Sequence, residues 1–257
     1  MPVFKTATLI GMCLSIAVAI SGYKEQHKEQ PVRKTRAYYE EREEVVWEVP
    51  MKEKLIALTF DDGPNPVTTP KILDLLAANE VKSTFFVIGK RMDQYPDVVR
   101  REAKEGHEVA NHTYSHLYLN RRISKQRLAE ELARTEEQIV KLTGKHSSWF
   151  RPPGGFFNDS VIRTAREHGY TMVLWSWHQD TKDWSSPGTR KIVDRVLNNV
   201  RNGDIILFHD HVAGSMQTVQ ALETILPELR RRGYKMVTVS ELIKHKKSNT
   251  MQGKPPA

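Results

Sequence analysis

The stretch Leu55-Ile56-Ala57-Leu58-Thr59-Phe60-Asp61-Asp62-Gly63-Pro64 predicts how this chain folds. Its first six residues are almost wholly apolar and a Gly-Pro pair closes the run, which is typical of a short buried strand. Asp61 and Asp62 therefore follow at the carboxyl end of that strand, where β/α folds place their chemistry. Two adjacent carboxylates repel each other and lose hydration when they are buried, so we expect a cation beside them.

Apolar runs alternate with amphipathic segments through the rest of the chain. The predicted strands are residues 55–60, 83–89, 108–111, 149–151, 171–176, 204–208 and 235–239. The predicted helices are residues 69–78, 96–105, 124–142, 159–168, 189–200 and 216–232. Strand–helix alternation with short connections predicts a parallel sheet, and the lack of a glycine-rich dinucleotide loop favours a barrel over a doubly wound sheet. We therefore expect an α/β fold of the barrel type with about seven parallel strands.

The two ends of the chain differ from this pattern. Residues 6–22 carry no charge, which predicts a signal peptide or an N-terminal membrane anchor over residues 1–22, near the lower limit of roughly 17–25 residues for a span. The single cysteine, Cys13, lies in this segment. Residues 23–50 are dense in charge and predict a linker, residues 51–245 the folded domain, and residues 246–257 a basic tail. The protein is therefore expected to be extracytoplasmic, either secreted or anchored at the outer face of the cytoplasmic membrane.

The chain is basic, with a net charge of +8 over 257 residues. A basic surface suits an anionic environment such as a bacterial wall, although it also fits a role in solubility alone. No basic helix or aromatic-interleaved motif lies near the predicted core, so we do not expect nucleic-acid binding. Contact with a membrane is expected only through the N-terminal segment.

His112 and His116 follow the predicted strand 108–111 at a spacing of i and i+4. On a helical turn this spacing presents two imidazoles on one face, where they can bind one metal ion. Alone the pair is a weak signal, but with a strand-end aspartate it supplies three protein ligands with open positions, as in a catalytic zinc site. One aspartate would bind the cation, and the other would be free to act on bound water.

Further polar residues follow other predicted strands. Arg151 precedes Pro152-Pro153-Gly154-Gly155, Asp183 lies in Asp180-Thr181-Lys182-Asp183-Trp184, and His209 ends a strand. Taken singly, these residues are also compatible with a surface arginine on a rigid turn, an Asx-type turn and a structural histidine. In a β/α barrel, however, all of these positions would face one mouth together with the aspartates and the histidine pair.

These five segments, residues 59–64, 112–116, 151–155, 180–184 and 207–209, resemble in order the motifs of the polysaccharide deacetylases of carbohydrate esterase family 4, the NodB-homology domain. The resemblance covers roughly residues 52–243. It implies a distorted, incomplete (β/α) barrel. It further implies that Asp61 is the general base, that Asp62, His112 and His116 bind the metal, and that Arg151 pairs with the base. By the same resemblance the Gly154 amide is the oxyanion donor, Asp183 orients the general acid His209, and Trp184 and Leu207 receive the acetyl methyl.

The resemblance implies a metal-dependent hydrolase that removes N-acetyl groups from a glycan. Export and the basic surface favour N-acetylglucosamine of peptidoglycan as the substrate. We expect the enzyme to be a monomer. The alternatives are a chitin or chitooligosaccharide deacetylase, an amidohydrolase for a small amide, and a wall-glycan-binding protein with weak or no activity. Zinc suits the ligand set, and cobalt, nickel or iron would also fit.

The chain departs from the family pattern in two places. Gly154 stands where many members have tyrosine, which predicts a thinner wall of the groove, and the loop 177–179 is longer than in simpler members. His178 and His211 receive no role from the sequence.

Overall fold

The structure is a computed structural model that describes residues 34–119, 123–213 and 215–252. The predicted signal peptide or anchor, Cys13 and the last five residues of the predicted tail lie outside the described residues. Within these ranges, no helix combines the length and the apolar character needed to cross a membrane.

Helices and strands alternate along the chain as the sequence predicts. The strands are β1 (Val45–Val46), β2 (Leu55–Asp61), β3 (Thr84–Val87), β4 (Glu108–Asn111), β5 (Trp149–Phe150), β6 (Thr171–Val173), β7 (Ile205–His209) and β8 (Lys235–Val237). The helices are α1 (Arg36–Glu41), α2 (Thr68–Ala78), α3 (Gly89–Gln94), α4 (Pro96–Lys104), α5 (Lys125–Thr143), α6 (Asp159–Glu167), α7 (Thr189–Leu197), α8 (Met216–Arg231) and α9 (Val239–Gln252). Three short 3-10 turns cover Pro153–Gly155, Trp177–Gln179 and Asp183–Ser185. All seven predicted strands and all six predicted helices are present.

The strands form one parallel sheet in the order β1-β6-β5-β4-β3-β2-β7, with β8 paired to the start of β2. The sheet curls into a half-barrel in which β6 and β7 do not pair as regular strands. Instead, the segment after β6 reaches β7, because Ser176 N donates to Ile205 O at 2.9 Å and Asp180 forms a bridge with Leu207. The predicted distorted, incomplete (β/α) barrel is confirmed.

Strand β2 lies at the centre of the core, and all seven of its residues are buried. The ring of Phe60 stacks on Phe85 of β3 and on Phe208 of β7, with centroid distances of 5.0 and 5.6 Å. This apolar layer fixes the register of the three strands, in which Asp61 is level with His209. The core therefore sets the relative positions of the two strand ends that carry these side chains.

The predicted linker over residues 23–50 needs correction in its C-terminal part. Residues 36–41 form α1, and Val45 and Val46 form β1, which pairs with β6 and covers its edge. Val45 and Val49 are each 1% exposed. A two-residue strand shows no periodicity of its own, so the charged residues around it dominated the prediction.

Helix α9 continues to Gln252 and so includes residues 246–252 of the predicted basic tail. The strand predicted over residues 171–176 ends at Val173, where the chain leaves β6 to cross toward β7.

Candidate active site

The carboxyl ends of the strands bring the predicted metal ligands together. Asp62 directly follows β2, and His112 directly follows β4. Nε2 of His112 and Nε2 of His116 lie 3.2 and 2.9 Å from Oδ1 of Asp62. The three ligand atoms lie within 4.8 Å of one another, as a shared metal ion requires.

The helical turn predicted for the histidine pair is wrong, since residues 112–116 form an irregular loop. His116 has a φ of 57° and Asp62 a φ of 74°, in the left-handed region where a non-glycine residue costs about 1–2 kcal/mol. Thr113 has a φ of 66°, and its amide donates to Oδ1 of Asn111 at 3.0 Å. The imidazoles therefore converge through a strained loop held by local hydrogen bonds and not through helical periodicity.

The chemistry of this cluster fits a divalent cation. His112 Nδ1 lies 2.7 Å from the carbonyl oxygen of Arg151, so the Nδ1–H donates there and the Nε2 lone pair faces Asp62. Oδ1 of Asp62 is buried and has no well-aligned hydrogen-bond donor among the described residues. Burial raises the pKa of Asp62, but its contacts with the imidazoles of His112 and His116 outweigh burial and hold it below its usual range.

Arg151 and Asp61 form a buried ion pair beside this cluster. Nη1 of Arg151 donates to Oδ1 of Asp61 at 2.6 Å and to Oγ1 of Thr59 at 2.9 Å. Its Nε and Nη2 donate to the carbonyl oxygens of Val173 and Leu174. The alternative of a surface arginine is therefore wrong, because the side chain is fully buried and its donors cross from β5 to β2 and to the end of β6.

Asp183 and His209 form a second buried pair. Oδ1 of Asp183 accepts from Nδ1 of His209 at 2.8 Å, and Oδ2 accepts from the His209 amide and from Oγ1 of Thr218 at the same distance. Burial would lower the pKa of His209, but the hydrogen bond and charge of Asp183, with smaller contributions from Asp61 and Asp62, raise it to about 9. The imidazole is therefore protonated at neutral pH and held with Nε2 directed away from Asp183.

The comparisons with known proteins agree with this arrangement. A protein-family model described as polysaccharide deacetylase matches residues 48–173. A relative from Bacillus cereus, named peptidoglycan-N-acetylglucosamine deacetylase, is 50% identical over 202 residues, which cover 79% of this chain and 94% of that protein. The chain belongs to the polysaccharide deacetylase family. Enzymes of this family are metal-dependent in general.

Solved structures show the same fold as this polysaccharide deacetylase. One is a peptidoglycan N-acetylglucosamine deacetylase in complex with 4-naphthalen-1-yl-N-oxidanyl-benzamide, with a TM-score of 0.76 and 34% identity over 81% of this chain and 96% of that chain. Another is a family 4 pseudoenzyme from Bacillus anthracis, with a TM-score of 0.71 and 28% identity over 77% of this chain and 68% of that chain. The fold therefore serves both active and inactive family members.

The remaining predicted site residues of this deacetylase differ in exposure. The side chain of Trp184 is 52% exposed, whereas Leu207 is 3% exposed within β7. Gly154 has a φ of 67°, a conformation that favours glycine and sets the direction of its amide.

The two histidines without a predicted role have structural partners. His178 Nε2 lies 3.1 Å from Oδ2 of Asp204, which precedes β7 at the end opposite His209. Nδ1 of His211 lies 2.8 Å from Nδ2 of Asn65. His178 is therefore outside the cluster at the strand ends, and His211 pairs with the loop that follows Asp62.

Sequence reasoning missed Asp210, a buried carboxyl group next to His209. Its amide donates to Asp61 O at 3.1 Å, and its Oδ2 accepts from Oγ1 of Thr69. A Cβ atom at Gly63 would lie 2.1 Å from Oδ2 of Asp210, so only glycine leaves room for this carboxyl group. Burial raises the pKa of Asp210 to about 7. The signal that could have identified Asp210 is its position directly after His209 in the sequence.

Proposed function

We propose that this protein is a metal-dependent deacetylase that removes acetyl groups from N-acetylglucosamine in peptidoglycan. The observation that carries the proposal is that two buried ion pairs lie on adjacent strands, one with a carboxylate as its reacting group and the other with an imidazole. Asp61 with Arg151 provides a carboxylate, and His209 with Asp183 provides a protonated imidazole. Amide hydrolysis needs a proton acceptor for water and a proton donor for the amine, and the two pairs supply both.

Asp62, His112 and His116 are the residues that would hold the cation. A bound divalent cation supplies an activated water molecule and a polarised acetamide carbonyl group. Zinc suits one carboxylate and two imidazoles, and cobalt, nickel or iron would also fit this donor set.

In the proposed reaction, Asp61 accepts a proton from the water whose oxygen adds to the acetyl carbon. Arg151 fixes the orientation of Asp61 and provides its counter-charge. The Gly154 N–H stabilises the oxyanion that develops on the carbonyl oxygen. His209 then donates its proton to the amide nitrogen as the C–N bond breaks, so that acetate and a free amine on the sugar leave. Trp184 and Leu207 would line the space for the acetyl methyl.

The substrate assignment is supported by the relative that is 50% identical and by the net charge of +8, which suits an anionic wall. The proposal includes an extracytoplasmic location and a monomeric enzyme. A glycan-binding protein without activity is the second candidate, because a pseudoenzyme shares the fold. The intact proton-acceptor and proton-donor pairs favour the enzyme.

The test measures acetate release by the purified protein from peptidoglycan and from chitin oligomers. We expect release that stops after chelation and returns when zinc is added, with the free amine mapped to glucosamine in digested peptidoglycan. His112→Ala serves as the matched variant and should lose bound metal and activity together. Exclusive activity on chitin oligomers would correct the substrate. Glycan binding without acetate release by the zinc-loaded protein would establish the binding protein instead.

A further inference from the structure

A row of aromatic rings leads from the proposed metal ligands toward the surface. The ring centroids of His112 and His116 are 5.2 Å apart, and those of His116 and Tyr118 are 5.0 Å apart in an edge-to-face arrangement. The ring of Phe156 comes next, with its centroid 6.4 Å from that of Tyr118. The row therefore connects the loop after β4 with the loop after the two prolines.

The outer two rings of this row are open to solvent. Tyr118 is 51% exposed and Phe156 is 44% exposed. Large apolar side chains that stay exposed side by side next to a polar site are typical of a ligand-binding surface. No step of the proposed reaction uses either ring.

Gly154 explains how these rings come to lie there. A side chain at position 154 would place its Cβ 2.9 Å from Cε2 of Phe156 and 3.1 Å from Cε1 of Tyr118. The first contact is shorter than real Cβ atoms show and the second is tighter than most, so an alanine or tyrosine at this position would displace the rings. The thinner wall predicted from Gly154 is therefore wrong, because two rings from elsewhere in the sequence fill that space.

We propose that Tyr118 and Phe156 together form the wall of the groove that stacks on the pyranose ring of the glycan. This inference rests on the proposed function and names the residues that select for a sugar. A pyranose presents C–H groups on its faces and hydroxyl groups at its rim, and an aromatic face is apolar with negative charge density that attracts such C–H groups. Gly154 lies against both rings and Tyr118 contacts His116, so the stacked sugar is the one that carries the acetamide or its neighbour.

A stacking wall contributes to glycan binding, whereas a small acetyl ester has no sugar to place on it. The two substrates therefore separate this role from the chemistry. For Phe156→Ala we expect the ratio of kcat/KM for an N-acetylglucosamine pentamer to kcat/KM for ethyl acetate, which has no ring to stack, to fall about tenfold, which corresponds to about 1.4 kcal/mol. The loss should be mainly in KM, because the wall binds the ground state and the transition state alike.

Matched variants control for structural damage. Phe156→Tyr and Tyr118→Phe keep the rings and should retain the wild-type ratio. Trp177→Ala removes an aromatic ring that is 86% exposed at the turn between β6 and β7, and it should leave the ratio unchanged. Tyr118 contacts His116, so metal content is measured on each variant. It should stay at the wild-type value, because neither ring belongs to the metal ligands Asp62, His112 and His116.

Binding gives a readout that does not depend on turnover. The pentamer is titrated into Asp61→Asn and into Asp61→Asn combined with Phe156→Ala, and we expect Kd to rise about tenfold in the double variant. If the kcat/KM ratio of Phe156→Ala stays within twofold of the wild-type ratio, and the Kd of the double variant stays within twofold of that of Asp61→Asn, the stacking wall is overturned. This holds even if wild-type acetate release is normal. Absence of acetate release by the wild type, with a tenfold rise in Kd, would instead contradict the deacetylase and keep the wall.

Discussion

Nη1 of Arg151 lies 2.6 Å from Oδ1 of Asp61, and the two side chains are 0% and 5% exposed. The pair connects the segment 151–155, which contains Arg151, to the segment 59–64, which contains Asp61, across the sheet. The guanidinium group also lies over the ring of Phe86, with Cζ 4.0 Å from the centroid. Removing one partner of a buried pair leaves an uncompensated charge, which typically costs 3–5 kcal/mol. The same contact therefore supports both the fold and the proposed base.

Replacing Asp61 by Asn should lower kcat for acetate release by a factor of about 10²–10⁴, because the amide cannot accept the proton from water. Bound metal should stay at the wild-type value, because Asp62, His112 and His116 are unchanged. The free energy of unfolding, measured in urea, should fall by about 3 kcal/mol as Arg151 loses its counter-charge. Asp74→Asn, which removes an exposed partner of Arg101, is the control; it should leave kcat and bound metal unchanged and shift the free energy of unfolding by at most about 1 kcal/mol. Full activity of Asp61→Asn would rule out the assigned role.

Replacing Asp183 by Asn should shift the alkaline limb of the pH profile. Asp183 is what raises the pKa of His209 to about 9 against the effect of burial. Without this charge, the imidazole loses its proton at lower pH, so kcat/KM should start to fall at least one pH unit earlier than in the wild type. If the alkaline limb of the Asp183→Asn profile stays at the wild-type position, a group other than His209 donates the proton.

The same pair predicts how stability depends on pH. Because the pKa of His209 is raised on folding, its contribution is complete below the unfolded value of about 6.5 and is lost as pH rises through about 9. The free energy of unfolding should therefore decline over this interval in the wild type. Asp183→Asn should show a smaller decline in the same urea titrations.

Replacing Glu102 by Met should stabilise the protein. Glu102 lies on α4 with 0% exposure, and neither carboxyl oxygen has a hydrogen-bond partner among the described residues. Burial, with a smaller contribution from Asp210, raises the pKa of Glu102 well above its usual value, so folding retains a proton that the unfolded chain releases. Stability should consequently fall as pH rises above about 4.5, and the methionine should recover about 1–3 kcal/mol at pH 8.

Urea unfolding of the Glu102→Met variant at pH 5 and pH 8 checks this expectation, since the gain should be larger at pH 8. Glu130→Met, at a side chain that is 54% exposed, provides the control and should change stability by less than about 0.5 kcal/mol. Destabilisation by Glu102→Met at pH 8 would show that the carboxyl group is needed.

Replacing Val45 by Ala tests whether the segment before residue 50 belongs to the barrel. Val45 is 1% exposed and is level with Met172 across the β1–β6 pair. Loss of two buried methyl groups should lower the free energy of unfolding by about 1–3 kcal/mol. Val67→Ala, at a residue that is 57% exposed, should have almost no effect. Equal effects of the two substitutions would argue that residues 36–46 contribute nothing to stability.

Local patterns were enough to predict most of the scaffold. The run from Leu55 to Phe60 is apolar at every position except Thr59 and ends at Gly63-Pro64, which is a signal contained in ten consecutive residues. The same kind of signal marks the other six strands of the incomplete barrel. Since parallel strands place their carboxyl ends at one edge, the convergence of Asp61, His112 and His209 also followed from the sequence.

Contacts between distant residues decided the rest. Arg151 is buried because acceptors on β2 and at the end of β6 surround it, and no residue next to it in sequence indicates this. The two residues of β1 form a strand only because β6 offers an edge. Tyr118 and Phe156 meet over Gly154 although they are 38 positions apart in the sequence. Sequence alone determined where the strands end and which side chains follow them, because hydrophobic periodicity is local. Tertiary structure decided which of these groups are desolvated and paired, because burial depends on what the rest of the chain packs against them.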